Sequence, residues 1–262
     1  MKKTDRQMRV TPKIWIGLLI AVGYLCIVIP IQKLSGVSYE DFGASADNLL
    51  RSAIASMAAG AVALIIVASL LGWWRSALFD NTQQRLNYKW LLISPLIMLI
   101  GIFVNFSSTN FSQFDGKFIF ILIVFGLLVG FCEELTIRGL LLTSLRSRLS
   151  EGWVCIFSSI IFGLIHGSNI LLGQAIPVTL MQVCMAALSG VTFYLVRRFT
   201  GSLIWAMLLH GLWDVSVFMT AYNNPDGNGT AGLLSLTADL FSVIFLIIVF
   251  RKLKNAKAKQ LS

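Results

Sequence analysis

Charge is what this chain has least of. Only 13% of its 262 residues are charged, against 56% hydrophobic, where a soluble domain carries about 25% charge. Mean hydropathy is +0.80. That balance excludes an ordinary soluble domain and points to a polytopic membrane protein. Cysteine is sparse as well: Cys26, Cys132, Cys155 and Cys184 all sit in apolar runs and none is in a C-x-x-C pair. A disulfide framework is thereby excluded, and small buried hydrophobes are the expected role of all four. There is no Gly-rich phosphate loop, no H-E-x-x-H, no internal repeat and no low-complexity segment. Nucleotide chemistry and the common zinc-protease helix are therefore not indicated. The missing repeat also counts against a transporter built from inverted halves.

The apolar runs fall at about 14–30, 52–72, 90–106, 117–143, 153–172, 177–196, 202–219 and 233–250. The first follows a basic stretch, as a signal peptide would. It ends in Pro30-Ile-Gln-Lys-Leu-Ser35, which has no small-x-small cleavage pattern, so an uncleaved first span is expected. The fold expected is all-α: a bundle of eight transmembrane helices with both termini cytoplasmic. Basic tails cover 1–13 and 251–262, residues 31–50 form a polar loop, and the transmembrane domain spans 14–250.

Charge tests the count. With the first residue in the cytoplasm, 18 of the 21 Lys and Arg fall on cytoplasmic segments, and Lys33, Arg51 and Lys117 are the remaining three. That is a strong positive-inside split, and one span more or fewer would scramble it. The net charge of +9 is then explained by topology and by anionic lipid at the cytoplasmic face, with no nucleic-acid partner.

What is present is a small set of ionisable groups inside these runs. Phe131-Cys-Glu-Glu-Leu-Thr-Ile-Arg138 puts two adjacent carboxylates at the end of a long apolar run. Each charge there costs about 2.5 to 3.5 kcal/mol on insertion scales. Glu134 and Arg138 are four apart and can pair along one helix face; Glu133 points about 100° away, toward the bundle interior. The chain's two histidines both lie inside spans: His166, four after Phe162, and His210, four before Asp214. Helix rise puts Glu133, His166, His210 and Asp214 roughly 12 to 20 Å from the cytoplasmic face, in one layer fed by three helices. Such a set suits hydrolysis, with a carboxylate as general base and histidines holding water or an oxyanion. The same four side chains could instead bind Zn²⁺, which would activate the water. A proton pathway is the usual rival for buried acids. Asp239 is a further intramembrane acid, which either tunes the pocket or pairs with Gln182 or Asn105.

Three motifs occur in order: Glu133-Glu134-Leu-Thr-Ile-Arg138, Phe162-Gly-Leu-Ile-His166 and His210-Gly-Leu-Trp-Asp214. Together they resemble the CPBP family of intramembrane proteases, the CAAX protease and bacteriocin-processing or Abi family, over a core of 118–219. The resemblance implies an eight-helix bundle with a cavity open to the cytoplasmic half. It implies Glu133 as general base, His166 positioning water or binding a metal, and His210 with Asp214 forming the oxyanion site or completing a ligand set. Glu134, Arg138 and Phe162 would support them. Many members carry Asn where this chain has Asp214, and an ionised Asp has no donor; here it would orient His210 or ligate a metal. The expected function is endopeptidase action on a membrane-associated peptide or protein. Short loops point to a bacterial plasma membrane, where relatives are linked to bacteriocin maturation or immunity. The alternatives are a non-catalytic immunity or scaffold protein keeping this fold, and a proton-coupled transporter.

Overall fold

A run of apolar residues in a bilayer has no water for its backbone, so it must close its own hydrogen bonds as helix. The computed structural model, which describes residues 8–81, 85–224 and 227–261, does this throughout. Among the described residues, eight helices are long and apolar enough to cross a membrane: α1 Ile14–Leu34, α2 Ala46–Leu71, α3 Lys89–Ser107, α4 Gly116–Leu145, α5 Glu151–Leu172, α6 Ile176–Thr200, α7 Leu203–Asn223 and α8 Gly229–Arg251. The all-α, eight-span expectation is met. Lys2, Lys3, Arg6 and Pro225 lie outside the described residues.

Three boundaries differ, each for a local reason. The segment 31–50 is not a loop throughout, because α1 runs through Pro30 to Leu34. A 3₁₀ turn follows at Tyr39–Ala44, and α2 starts at Ala46 because the Ser45 hydroxyl accepts from the Asn48 N–H at 3.1 Å and caps it. The last helix continues past 251 to Leu261, where a tail was expected.

α4 is the centre of the bundle. Over its apolar window 56% of residues are buried, more than in any other span, and its side chains enter both apolar cores. One core joins α4 to α1 and α2 through Tyr24, Met57 and Phe125. The other joins it to α3, α5, α6 and α8 through Met98, Phe162, Tyr194 and Val249. α7 crosses α4 backbone to backbone. A Cβ on Gly211 would run into the Gly126 carbonyl oxygen, and one on Gly130 into the Met207 carbonyl oxygen. Small residues at a crossing let two membrane helices approach this closely.

Beyond Glu134 the helix widens into a π turn over Leu135–Leu141, every residue of which is buried. Such turns recur at functional sites.

At the basic end Arg146, Arg197 and Arg198 are held by acids of the chain itself, while Arg75, Arg85 and Arg148 are exposed. Asp80 accepts from Arg146 Nη1 and Arg197 Nε, both at 2.9 Å. Glu151 accepts from Arg146 Nε at 2.7 Å and Arg198 Nη1 at 2.5 Å. Arg197 Nη1 also donates to the Arg138 carbonyl inside the π turn. Burial by itself would raise the Asp80 carboxyl, but Arg197, Arg146 and Arg198 outweigh it and hold it below the usual aspartate value. Asp80 and Glu151 in turn raise the Arg146 guanidinium against the opposing effect of its burial. Two cysteines were also misread: Cys26 and Cys184 are exposed on the bundle surface, while Cys132 and Cys155 are buried.

Two outcomes are expected. Gly211→Ala forces α7 off α4, and overpacking of this kind costs about 1–3 kcal/mol or more. Gly23→Ala, whose Cβ meets no atom within 4 Å, leaves stability unchanged. Thermal unfolding in detergent separates the two. Asp80→Asn leaves the buried Arg197 without a carboxylate partner, while Arg146 and Arg198 keep Glu151, with a cost of about 3–5 kcal/mol at neutral pH. Because the Asp80 pKa is depressed in the folded state, its stabilisation is complete above about pH 4 and is lost as pH falls through the lowered value. The variant's stability deficit therefore shrinks on acidification.

Candidate active site

The glycine crossing fixes where the ionisable groups meet. His210 lies between Met207 and Gly211, at the contact itself, so its ring reaches the α4 turn that carries the two glutamates. His210 Nδ1 donates to Glu134 Oε1 at 3.0 Å. Arg138 Nη1 donates to the same oxygen at 2.9 Å, with both side chains of that pair wholly buried. The pairing of Glu134 with Arg138 is as the spacing implied. That Glu134 also holds His210 was not legible, because it joins two helices.

Phe162 has two contacts with this cluster. Its ring lies 3.8 Å under the Arg138 guanidinium carbon, a cation–π contact that helps hold a desolvated cation. Its carbonyl accepts from His166 Nδ1 at 2.8 Å. A carbonyl only accepts, so Nδ1 carries the proton and Nε2 of His166 is the free acceptor. That Nε2 is 3.8 Å from Glu133 Oε2. His210 Nε2 is 3.9 Å from the same oxygen and 3.5 Å from Asp214 Oδ2. Glu133 Oε2 has no hydrogen-bond partner among the described residues. The four residues expected to share one layer are therefore brought together, with Glu133 facing both imidazoles and Glu134 turned to Arg138.

The set is partly reachable. Side-chain exposure is 15% for Glu133 and His166, 24% for Asp214 and 5% for His210. Glu133, His166 and Asp214 edge a cavity of about 210 Å³. From Glu133 the cavity passes Met57, Phe125 and Val129 and reaches Gln32, Tyr39 and Gln182. It does not run to the basic end, as the resemblance implied, but to the opposite one, where α1 ends and α6 begins. The basic end is filled by the buried π turn and the arginine cluster.

Several participants carried little sequence signal. Phe193 stacks on His210 with ring centroids 4.9 Å apart and 17° between planes; it was one of 18 phenylalanines. Asn169 and Gln182 are linked at 2.9 Å, and Gln182 donates to the Tyr39 hydroxyl at 2.9 Å. Polar groups in apolar runs were the available clue for these. Asp239 is paired otherwise than expected. Its two oxygens accept from Thr192 and Ser189 of α6, each at 2.6 Å, while Asn105 donates to Ser216. Among the described residues no group of three or more His, Cys, Asp or Glu side chains is disposed to hold a metal ion. Both Nδ1 atoms are engaged by protein acceptors, which leaves the two Nε2 atoms facing Glu133 as the nitrogens that the zinc alternative for Glu133, His166, His210 and Asp214 would use.

Residues 115–216 match the family model described as type II CAAX prenyl endopeptidase Rce1-like. No curated protein and no solved structure matches the chain. The matched stretch runs from the Asp115 cap of α4 to Ser216 in α7 and contains Glu133, Glu134, Arg138, Phe162, His166, His210 and Asp214.

The buried pair can be tested without any substrate. Arg138→Met leaves Glu134 buried with one partner fewer and destabilises by about 3–5 kcal/mol. Adding Glu134→Gln recovers part of that loss, so the double variant is more stable than the sum of the singles. Additive effects in thermal unfolding would show that the two side chains are not coupled.

Proposed function

We propose that this chain, which over residues 115–216 belongs to the Rce1-like CAAX endopeptidase family, is an intramembrane endopeptidase that cleaves a membrane-associated peptide or protein. One observation carries this reading: the unpartnered Glu133 oxygen stands 3.8 and 3.9 Å from the Nε2 atoms of two imidazoles at the edge of a cavity. Those separations are too long for direct hydrogen bonds and suit a water held between the groups.

The donor and acceptor pattern assigns the roles. Glu133 and His166 Nε2 both accept, so a water between them gives each a hydrogen and turns a lone pair toward a substrate carbonyl carbon. Glu133 takes the proton as the water oxygen bonds to that carbon. A proton on His210 Nε2, with Nδ1–H committed to Glu134, is the donor to the developing oxyanion. Asp214 orients that N–H from one turn along the same helix. Glu133 then returns its proton to the departing nitrogen, and the carbon–nitrogen bond breaks to give a carboxylate and an amine. Glu134, Arg138, Phe162 and Phe193 keep the His210 ring in place. No metal enters any step.

The fold is read as lying in a bacterial plasma membrane with both termini cytoplasmic. The support is the Lys and Arg split of 18 to three.

Glu133→Gln is expected to lower peptide cleavage in proteoliposomes by about 10²–10⁴-fold, the usual contribution of a general base, with unfolding temperature unchanged. A folded variant cutting at the wild-type rate would overturn the proposal.

A further inference from the structure

The two ends of the bundle are not alike, and the difference bears on where a substrate comes from. The end holding 72–81, 85–88, 146–150 and 201–202 carries most of the Lys and Arg among the described residues. It is also solid: Arg138, Arg197 and Trp73 are wholly buried there, and Asp80 and Glu151 lock the arginines across four segments. The cavity runs the other way, from Glu133 toward Gln32, Tyr39, Ser168 and Gln182. At that end only Lys33, Arg51 and Lys117 are basic. Cytoplasmic loops are the basic ones.

From this juxtaposition we infer that the site is loaded from the extracytoplasmic side, and that its substrate is a membrane-anchored chain cut near the point where it leaves the bilayer on that side. The word substrate rests on the endopeptidase reading above; the direction of access does not.

The mouth suits an extended, uncharged segment. Asn169 donates to Gln182 and Gln182 donates to Tyr39, which leaves the Tyr39 hydroxyl hydrogen to give to an incoming carbonyl. The Tyr39–Ala44 turn lies across this mouth, tied to α6 by Tyr39 and to the preceding loop by Glu40, which accepts from the Ala175 N–H. No Lys or Arg lines the cavity among the described residues. Below the mouth Met57, Phe125 and Val129 receive apolar side chains.

Cysteine accessibility in intact cells tests the direction. With Cys26 and Cys184, the two exposed cysteines, changed to alanine, single cysteines are placed at Ser168 in the cavity, Ser38 beside the turn and Ser147 at the basic end. A charged maleimide does not cross hydrocarbon, so Ser168→Cys and Ser38→Cys should label roughly tenfold faster from outside than from inside, and Ser147→Cys only after permeabilisation. Labelling of Ser168→Cys from the cytoplasm alone, or from neither side, would overturn the inference, as would outside labelling of Ser147→Cys. Labelling needs no catalysis. Outside access in a chain whose Glu133→Gln variant still cleaves would remove the proposed mechanism and leave the direction of access standing.

Discussion

Everything in the site depends on one close crossing. α4 and α7 meet through Gly126, Gly130 and Gly211, backbone against backbone, with the Val215 side chain seated on Gly126. Hydrocarbon gives apolar helices no reason to associate beyond packing and polar contacts. The glycines supply the packing, and His210 with Glu134 supplies the polar contact. The two reinforce each other: the approach puts the imidazole within reach of the carboxylate, and the hydrogen bond fixes the rotation of α7. Once α7 is fixed, His210 Nε2 faces Glu133 and Asp214 as a matter of geometry.

The second constraint is the cost of the buried charges. Glu134 and Arg138 are each wholly shielded from solvent, and neither would be tolerated alone. Phe162 contributes its ring to the cation and its carbonyl to His166, so one residue links the ion pair to the second imidazole. At the basic end, Arg197 reaches the Arg138 carbonyl and ties the π turn to Asp80. The turn that carries Glu133 and Glu134 is thus held from behind by a polar cluster and left accessible on its other side.

The sequence displayed this unevenly. Span number was legible because hydropathy and charge act along the chain, while three span limits were not. The pairing of Glu134 with Arg138 was legible because it is a four-residue spacing on one helix. The convergence of Glu133, His166 and His210 could be expected from depth, but not the partner each would choose. Glu134 turning to His210, Phe193 stacking on it and Asp239 settling between Ser189 and Thr192 all depend on which helices are neighbours. The direction of the cavity was misjudged for the same reason. Leu135 to Leu145 read as a helix leaving lipid, yet its residues are packed on every side.

The central claim is that two imidazoles from different helices face one carboxylate oxygen. The chain has two histidines, so ¹⁵N-histidine labelling in bilayers leaves only His166 and His210 to assign, and dipolar recoupling to a ¹³C-labelled glutamate carboxyl reads their separation from Glu133. Both Nε2 atoms are predicted to couple to the carboxyl carbon of Glu133, whose Oε2 stands 3.8 and 3.9 Å from them. A His166 or His210 ring that couples to lipid and not to Glu133 would contradict the account.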